Sequence, residues 1–267
     1  MIRAALHVHS TYSDGEFTLA ELRQIFHAAG CRLIGVVDHA EAFDSGARLA
    51  RFADECRDLS DDHITLLPGL EFECRNRLHI VGYGVTVRHP SDDPDDIIRH
   101  IAAQGGVSVI AHPKTEFFDW IRGFDSMPDG VEAWNSKYDG RRAPRPETFE
   151  LIADLRRRRP DLRAFFGIDL HWRKQFRSLH TLIDDSVPDC DRESVLDALR
   201  RGSFVGAAGD VRLASDGRVT PSQLERFGAL NRRGRRLKTL LGRAKQWSDA
   251  IGFRPPAALK AQLRRLF

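Results

Sequence analysis

The chain has 267 residues, a formal net charge of +3 and 42% hydrophobic residues. That length allows one large α/β domain, or one domain with an extension, around a core that needs no covalent staples. The small net charge gives no ground for a nucleic-acid reading on bulk charge. The four cysteines, Cys31, Cys56, Cys74 and Cys190, form no CxxC pair, which argues against a zinc ribbon or a disulfide framework and fits a reducing compartment.

The opening MIRAALHVHS has no basic region leading into a long apolar stretch, so it does not read as a signal peptide. No apolar run is long enough to cross a bilayer, so no transmembrane segment is expected and the expected location is cytoplasmic. Strand-like runs then follow in order: AALHVH, LIGVVDH, ITLLPGLEF, LHIVGYGV, VSVIAH, GVEAWN, AFFGIDLH and LHTLI. Helical patterns lie between several of them. Thr18-Leu-Ala-Glu21 is a capping box, Leu19, Leu22, Ile25 and Phe26 recur at helical spacing, and Gly30 ends the run. Further helices are expected to start near Pro94, Glu116, Pro146 and Asp191, the third ending in RRRRP. Alternation of this kind predicts a parallel sheet covered by helices, and about seven such units favour a closed or nearly closed barrel.

After Ala214 the pattern changes. From Leu224 onward no strand is evident, and Arg226, Arg232, Arg233, Arg235, Arg236, Lys238, Arg243, Lys245, Arg254, Lys260, Arg264 and Arg265 face very few acids. Leu237, Leu240, Leu241 and Ala244 suggest an amphipathic helix, broken at Pro255-Pro256 with a last short helix beyond. The domain division expected is therefore a barrel over residues 1–212 and a basic helical extension over 213–267.

Histidines and acids fall at the strand ends. His7 and His9 end the first strand, His39 the second, His112 the VSVIAH strand, and Asp169 and His171 the FFGIDLH strand. Glu71 lies in the third strand, His79 opens LHIVGY, and Asp14 lies in the loop after the first strand. An i, i+2 pair on a strand points to one face. The C-terminal strand ends of a parallel barrel carry its active site. Imidazole mixed with carboxylate suits zinc, manganese or iron, and nine such groups are enough for two or three divalent ions. His27, His63, His89 and His100 stand apart from this pattern and read as structural or surface histidines.

These residues resemble the motifs of the PHP (polymerase and histidinol phosphatase) family. LHVHSTYSDGEFT, VVDHA, the Glu71 segment followed by LHIVGYG, AHP at His112 and GIDLH occur in the family's order over roughly residues 1 to 212. The resemblance implies a TIM-like, distorted seven-stranded (β/α) barrel of PHP type with a trinuclear metal site. It implies one ion held by His7, His9, Glu71 and Asp169, a second by Glu71, His79 and His112, and a third by Asp14, His39 and His171. The implied activity is hydrolysis of phosphate esters, on a small phosphorylated metabolite or a nucleotide, by a hydroxide bridging two ions. Ile168 and Leu170 depart from the family, where many members carry smaller residues.

Phosphate hydrolysis also needs cations to position the substrate. The candidates at the ends of the same strands are Lys114, Lys137, Arg141, Arg142, Arg173, Lys174 and Arg177, with Arg173 and Arg177, which follow the Asp169/His171 pair, preferred. His180 is the expected acid for the leaving oxygen. The basic tail permits an alternative: an exonuclease or oligonucleotide hydrolase of the same family, with the tail on nucleic acid. The tail could equally lie on a membrane surface or pack on the barrel. A metal-binding scaffold without turnover and a deacetylase-type amide hydrolase are the remaining alternatives.

Overall fold

The structure, a computed structural model, describes residues 1–140, 142–184 and 191–250, without the side chains at 235, 237, 238 and 241–250. Arg141, Cys190, Pro255-Pro256 and the expected last helix lie outside the described residues. The other three cysteines are buried free thiols.

The strands are β1 (Ile2–Val8), β2 (Leu33–His39), β3 (Thr65–Cys74), β4 (Leu78–Tyr83), β5 (Val107–Ala111), β6 (Gly130–Asn135), β7 (Arg163–Gly167), β8 (His180–Ile183), β9 (Phe204–Ala208) and β10 (Val211–Ala214). The helices are α1 (Leu19–Ala28), α2 (Gly46–Asp58), α3 (Pro94–Ala103), α4 (Phe118–Arg122), α5 (Pro146–Leu155), α6 (Arg192–Arg201) and α7 (Pro221–Ala250). Helix α1 carries the expected capping box, with the Thr18 and Glu21 side chains each answering the other's backbone, and buries Leu19, Leu22 and Phe26. The sequence pattern did not single out α2, β9 or β10. Helix α2 follows a serine cap at Ser45 and buries only Leu49, Phe52 and Cys56 among many charged residues.

All ten strands form one sheet in the order β10-β9-β8-β1-β2-β3-β4-β5-β6-β7. This corrects the expected seven strands. Seven of them, β1 to β7, curl into a nearly closed barrel. Its seam forms where the chain beyond β7 meets β1: the Ile168 and His9 amides donate to the carbonyls of Leu6 and Leu170, at 2.9 and 3.0 Å, and Val8 bridges Leu170 in parallel. Ile168 and Leu170, the bulky departures in sequence, are buried at this seam. The remaining strands form an antiparallel ribbon attached elsewhere on β1, where Ile2, Arg3 and Ala4 pair with Ile183, Leu182 and Thr181 of β8.

The sheet is not wholly parallel either. β4 runs antiparallel to both β3 and β5. The link from β3 to β4 is a short turn at Arg75–Arg77, with Asn76 and Arg77 at φ 62° and 59°, and it leaves no room for a crossover helix. Reversal puts the start of β4, with His79, at the rim where neighbouring strands end.

Candidate metal centre

The nine histidines and acids of the sequence pattern converge at that rim. Glu71, 1% exposed, is the hub. Its Oε1 lies 3.3 Å from His7 Nε2, 2.9 Å from His79 Nδ1 and 3.2 Å from His112 Nε2. Its Oε2 lies 3.3 Å from both His9 Nε2 and His39 Nδ1. Asp14 approaches His171 at 3.3 Å, His39 at 3.6 Å and His9 at 3.8 Å. Asp169 approaches His171 at 3.1 Å and His112 at 3.6 Å. Among the described residues, four overlapping groups have ligand atoms close enough for one ion: His9, Asp14, His39 and His171; His7, Glu71 and His112; His7, His9 and Asp169; His39, Glu71 and His79. These cut across the three sets implied by resemblance, since His9 joins the Asp14 group and His7 joins the His112 group.

Local backbone builds the convergence. His7, His112 and Asp169 have φ of 61°, 29° and 54°, a region that costs a non-glycine residue energy and persists only where surroundings enforce it. At His7 the pairing of β1 with β2 shifts register between Ala5 and Val8, so the strand kinks as it delivers its histidines. The simple i, i+2 strand argument therefore holds only loosely here; the His7 and His9 rings end 5.2 Å apart across a kinked segment. Asp14 sits in a loop tied to buried Asp38, which accepts from the Ser10 amide at 2.8 Å, the Ser10 hydroxyl at 2.6 Å and the Ser13 hydroxyl. Gly15 lets this loop close, because a Cβ there would lie 2.5 Å from the His9 carbonyl oxygen.

The electrostatics fit cation binding. Burial works to raise the Glu71 carboxyl, but the imidazoles around it, His7 foremost, hold it well below the usual carboxylate range. Asp169 is likewise pushed up by burial and held low by His7, His171, His112 and Lys137. His9 is driven well below its ordinary value by burial, which keeps it neutral, the form that ligates metal. His171 is lowered by burial but raised more by Asp14 and Asp169, to about 9. His7 Nε2 and both ring nitrogens of His9 are fully buried with no hydrogen-bond partner among the described residues. Buried polar atoms are rarely left so, and bound cations would answer His7 Nε2 and one nitrogen of His9, the other nitrogen of neutral His9 carrying its proton.

The expected cations are placed less uniformly. Lys137 reaches the cluster, its ammonium 2.9 Å from Asp169 Oδ1 and 3.4 Å from the His171 ring nitrogens. Tyr138 beside it packs over His112, ring centroids 4.5 Å apart. The Arg173 guanidinium lies over the Phe17 ring, and Arg173 and Lys174 line a shallow groove with Glu16 and Trp172, whose ring is 5.4 Å from that of His171. Arg177 bonds the Phe176 carbonyl, Lys114 pairs loosely with Glu116 at 3.7 Å, and Arg142 is exposed. The structure does not bring His180 to the nine: its Nδ1 is 2.7 Å from the Ser178 carbonyl and 3.3 Å from Arg3. Two residues that the sequence pattern did not single out join the site. Glu132 of β6 lies 2.7 Å from His7 Nδ1, and Asn135 donates to Glu132 at 2.8 Å and to Asp169 at 3.2 Å.

No protein-family model matches the chain, and no curated protein matches it. Solved structures do. A two-domain protein from Bacteroides vulgatus, described as containing a predicted PHP-like metal-dependent phosphoesterase, aligns at a TM-score of 0.56 and 16% identity over 79% of this chain. The chain spans 66% of that protein's length. PsfC from Pseudomonas syringae aligns at a TM-score of 0.51 and 17% identity, covering 88% of this chain and 99% of PsfC. An amidohydrolase from Chromobacterium violaceum aligns at 0.46 and 19% identity, over 64% of this chain and 88% of that one. The first two show a shared fold.

Proposed function

We propose that the chain is a PHP-family metal-dependent phosphoesterase acting on a small phosphorylated metabolite or a nucleotide. The observation that carries the reading is the hub: five imidazoles around buried Glu71, with three histidine nitrogens left without a hydrogen-bond partner among the described residues. Two to three manganese, zinc or iron ions held by His7, His9, Asp14, His39, Glu71, His79, His112, Asp169 and His171 would supply an activated water and neutralise phosphoryl charge. The chain's own contribution is positioning. Lys137 offers an ammonium at the Asp169 edge, where a phosphoryl oxygen can be oriented, and Tyr138 shields His112 from water. Arg173 and Lys174 bind the outer part of the substrate along the Trp172 groove. Residues 1–212 carry this chemistry, and 213–267 form the basic extension.

Metal analysis of purified protein, followed by a panel of phosphomonoesters, nucleoside bisphosphates and short oligonucleotides with manganese, tests the reading. The expected result is about two to three metal equivalents and phosphate release from a small substrate. Hydrolysis confined to oligonucleotides would move the assignment to a nuclease, a reading favoured by the exposed Arg232, Arg233 and Arg236 on α7. A folded protein that takes up no metal would overturn both.

A further inference from the structure

Of the seven barrel strands, β6 alone gives none of the nine candidate ligands, yet its Glu132 is 1% exposed beside them. A buried carboxylate needs donors to offset its lost hydration. Glu132 has three: Oε1 is 2.7 Å from His7 Nδ1, and Oε2 accepts from the His112 amide at 2.9 Å and from Asn135 Nδ2 at 2.8 Å. One carboxylate thus holds the ring of one candidate ligand and the backbone of another. Both are residues whose backbone sits in the left-handed region. The chain also leaves space for it. A Cβ at Gly167 would fall 1.8 Å from Glu132 Oε1, so any other residue at the end of β7 would evict the carboxylate.

We infer that Glu132 is a positioning residue that sets the tautomer of His7 and, through His112, the shape of the metal site; this rests on the metal-centre reading above. A carboxylate can only accept, so neutral His7 must carry its proton on Nδ1. That leaves the Nε2 lone pair turned toward Glu71 and available to an ion. Asn135 steadies the arrangement by donating to Glu132 and Asp169 together. Gly167 is part of the device although it bears no side chain.

Glu132→Gln keeps the shape and removes the function. If its amide faces His7, the proton moves to Nε2 and the ligand atom is lost. If its amide faces the other way, it meets the two N–H donors of His112 and Asn135. Zinc affinity by calorimetry should fall about 10- to 100-fold in Glu132→Gln, and by a similar factor in Gly167→Ala, where Glu132 remains but is displaced. Should Glu132→Gln not fold, the wild-type zinc-loaded protein still decides the matter, because nitrogen-15 imidazole shifts report the tautomer directly. An Nδ1–H His7 is expected. A zinc-loaded wild type with its proton on Nε2, or variants that bind zinc as tightly as wild type, would overturn the inference and leave the metal site standing. A wild type that binds no zinc would instead overturn the metal-centre reading.

Discussion

At the barrel mouth, His7, His9, Glu71 and Asp169 are no more than 1% exposed, and two of the four lie in strained backbone. On α7, Arg232, Arg233 and Arg236 stand in solvent on a regular helix. The tail holds the denser charge in sequence, but its exposed cations cost nothing to solvate. The mouth holds charges that water has left, and those need a reason to be there. The first turns of α7 do take part in the fold: Phe227 is buried and stacks on Phe149, Leu224 and Leu230 pack on the core, and Asn231 bonds the Pro144 carbonyl. Leu240, expected on an apolar stripe, is 61% exposed instead.

Four changes would break or sharpen this contrast. The largest effect should come from Glu71→Gln, which keeps the volume of the hub and removes its charge. Turnover should drop by at least about 10³-fold, roughly 4 kcal/mol of barrier, with the fold retained by circular dichroism. Near-wild-type rates would dissolve the hub. Next, Phe227→Ala should cost about 3 kcal/mol in urea denaturation while leaving metal stoichiometry unchanged. If metal uptake fell with it, the two regions would be coupled.

The third is a pH effect. His171 in the metal-free protein is raised to about 9, because Asp14 and Asp169 together outweigh burial. Its contribution to stability is therefore fully present below the ordinary histidine value and is lost as pH rises through about 9. Metal binding runs the opposite way, because the ion must displace that proton. Metal affinity should rise by up to about tenfold per pH unit toward 9, and Asp14→Asn should flatten that slope. A slope unchanged in the variant would remove Asp14 from the site. The smallest effect belongs to the tail: replacing Arg232, Arg233 and Arg236 together by alanine should change stability by less than about 0.5 kcal/mol. A large loss of oligonucleotide hydrolysis in that variant would give the tail a role in the substrate.

The sequence revealed the first eight strands because each is an apolar run bounded by turns. It did not reveal β9 and β10, whose FVGAA and VRLA are short and rich in small residues. It could not show that β4 is reversed, because direction depends on the turn at Arg75–Arg77 and a strand reads the same from either end. The nine metal-centre candidates stood out by residue type and by recurrence at strand ends. Glu132 did not, since a glutamate in an apolar strand carries no pattern of its own, and Lys137 was one of several strand-end cations, with nothing in the sequence to rank it above the rest. Only their neighbours in space, His7 and Asp169, give them meaning. His180 shows the converse, a histidine near GIDLH in sequence whose bonds go to Arg3 and Ser178.

The seam on β1 has one more consequence. Because β1 pairs with β8 over Ile2–Ala4 and with the chain beyond β7 over Leu6–His9, one strand ties the antiparallel ribbon at its start and shuts the barrel at its end. The ribbon returns to the barrel at its far edge: the carbonyl of Ser215, just past β10, accepts from the Ala164 amide of β7 at 2.7 Å, and the Phe204 ring of β9 packs against Phe165 and Phe166. The chemistry and the antiparallel ribbon are thus housed at opposite ends of a single seven-residue strand.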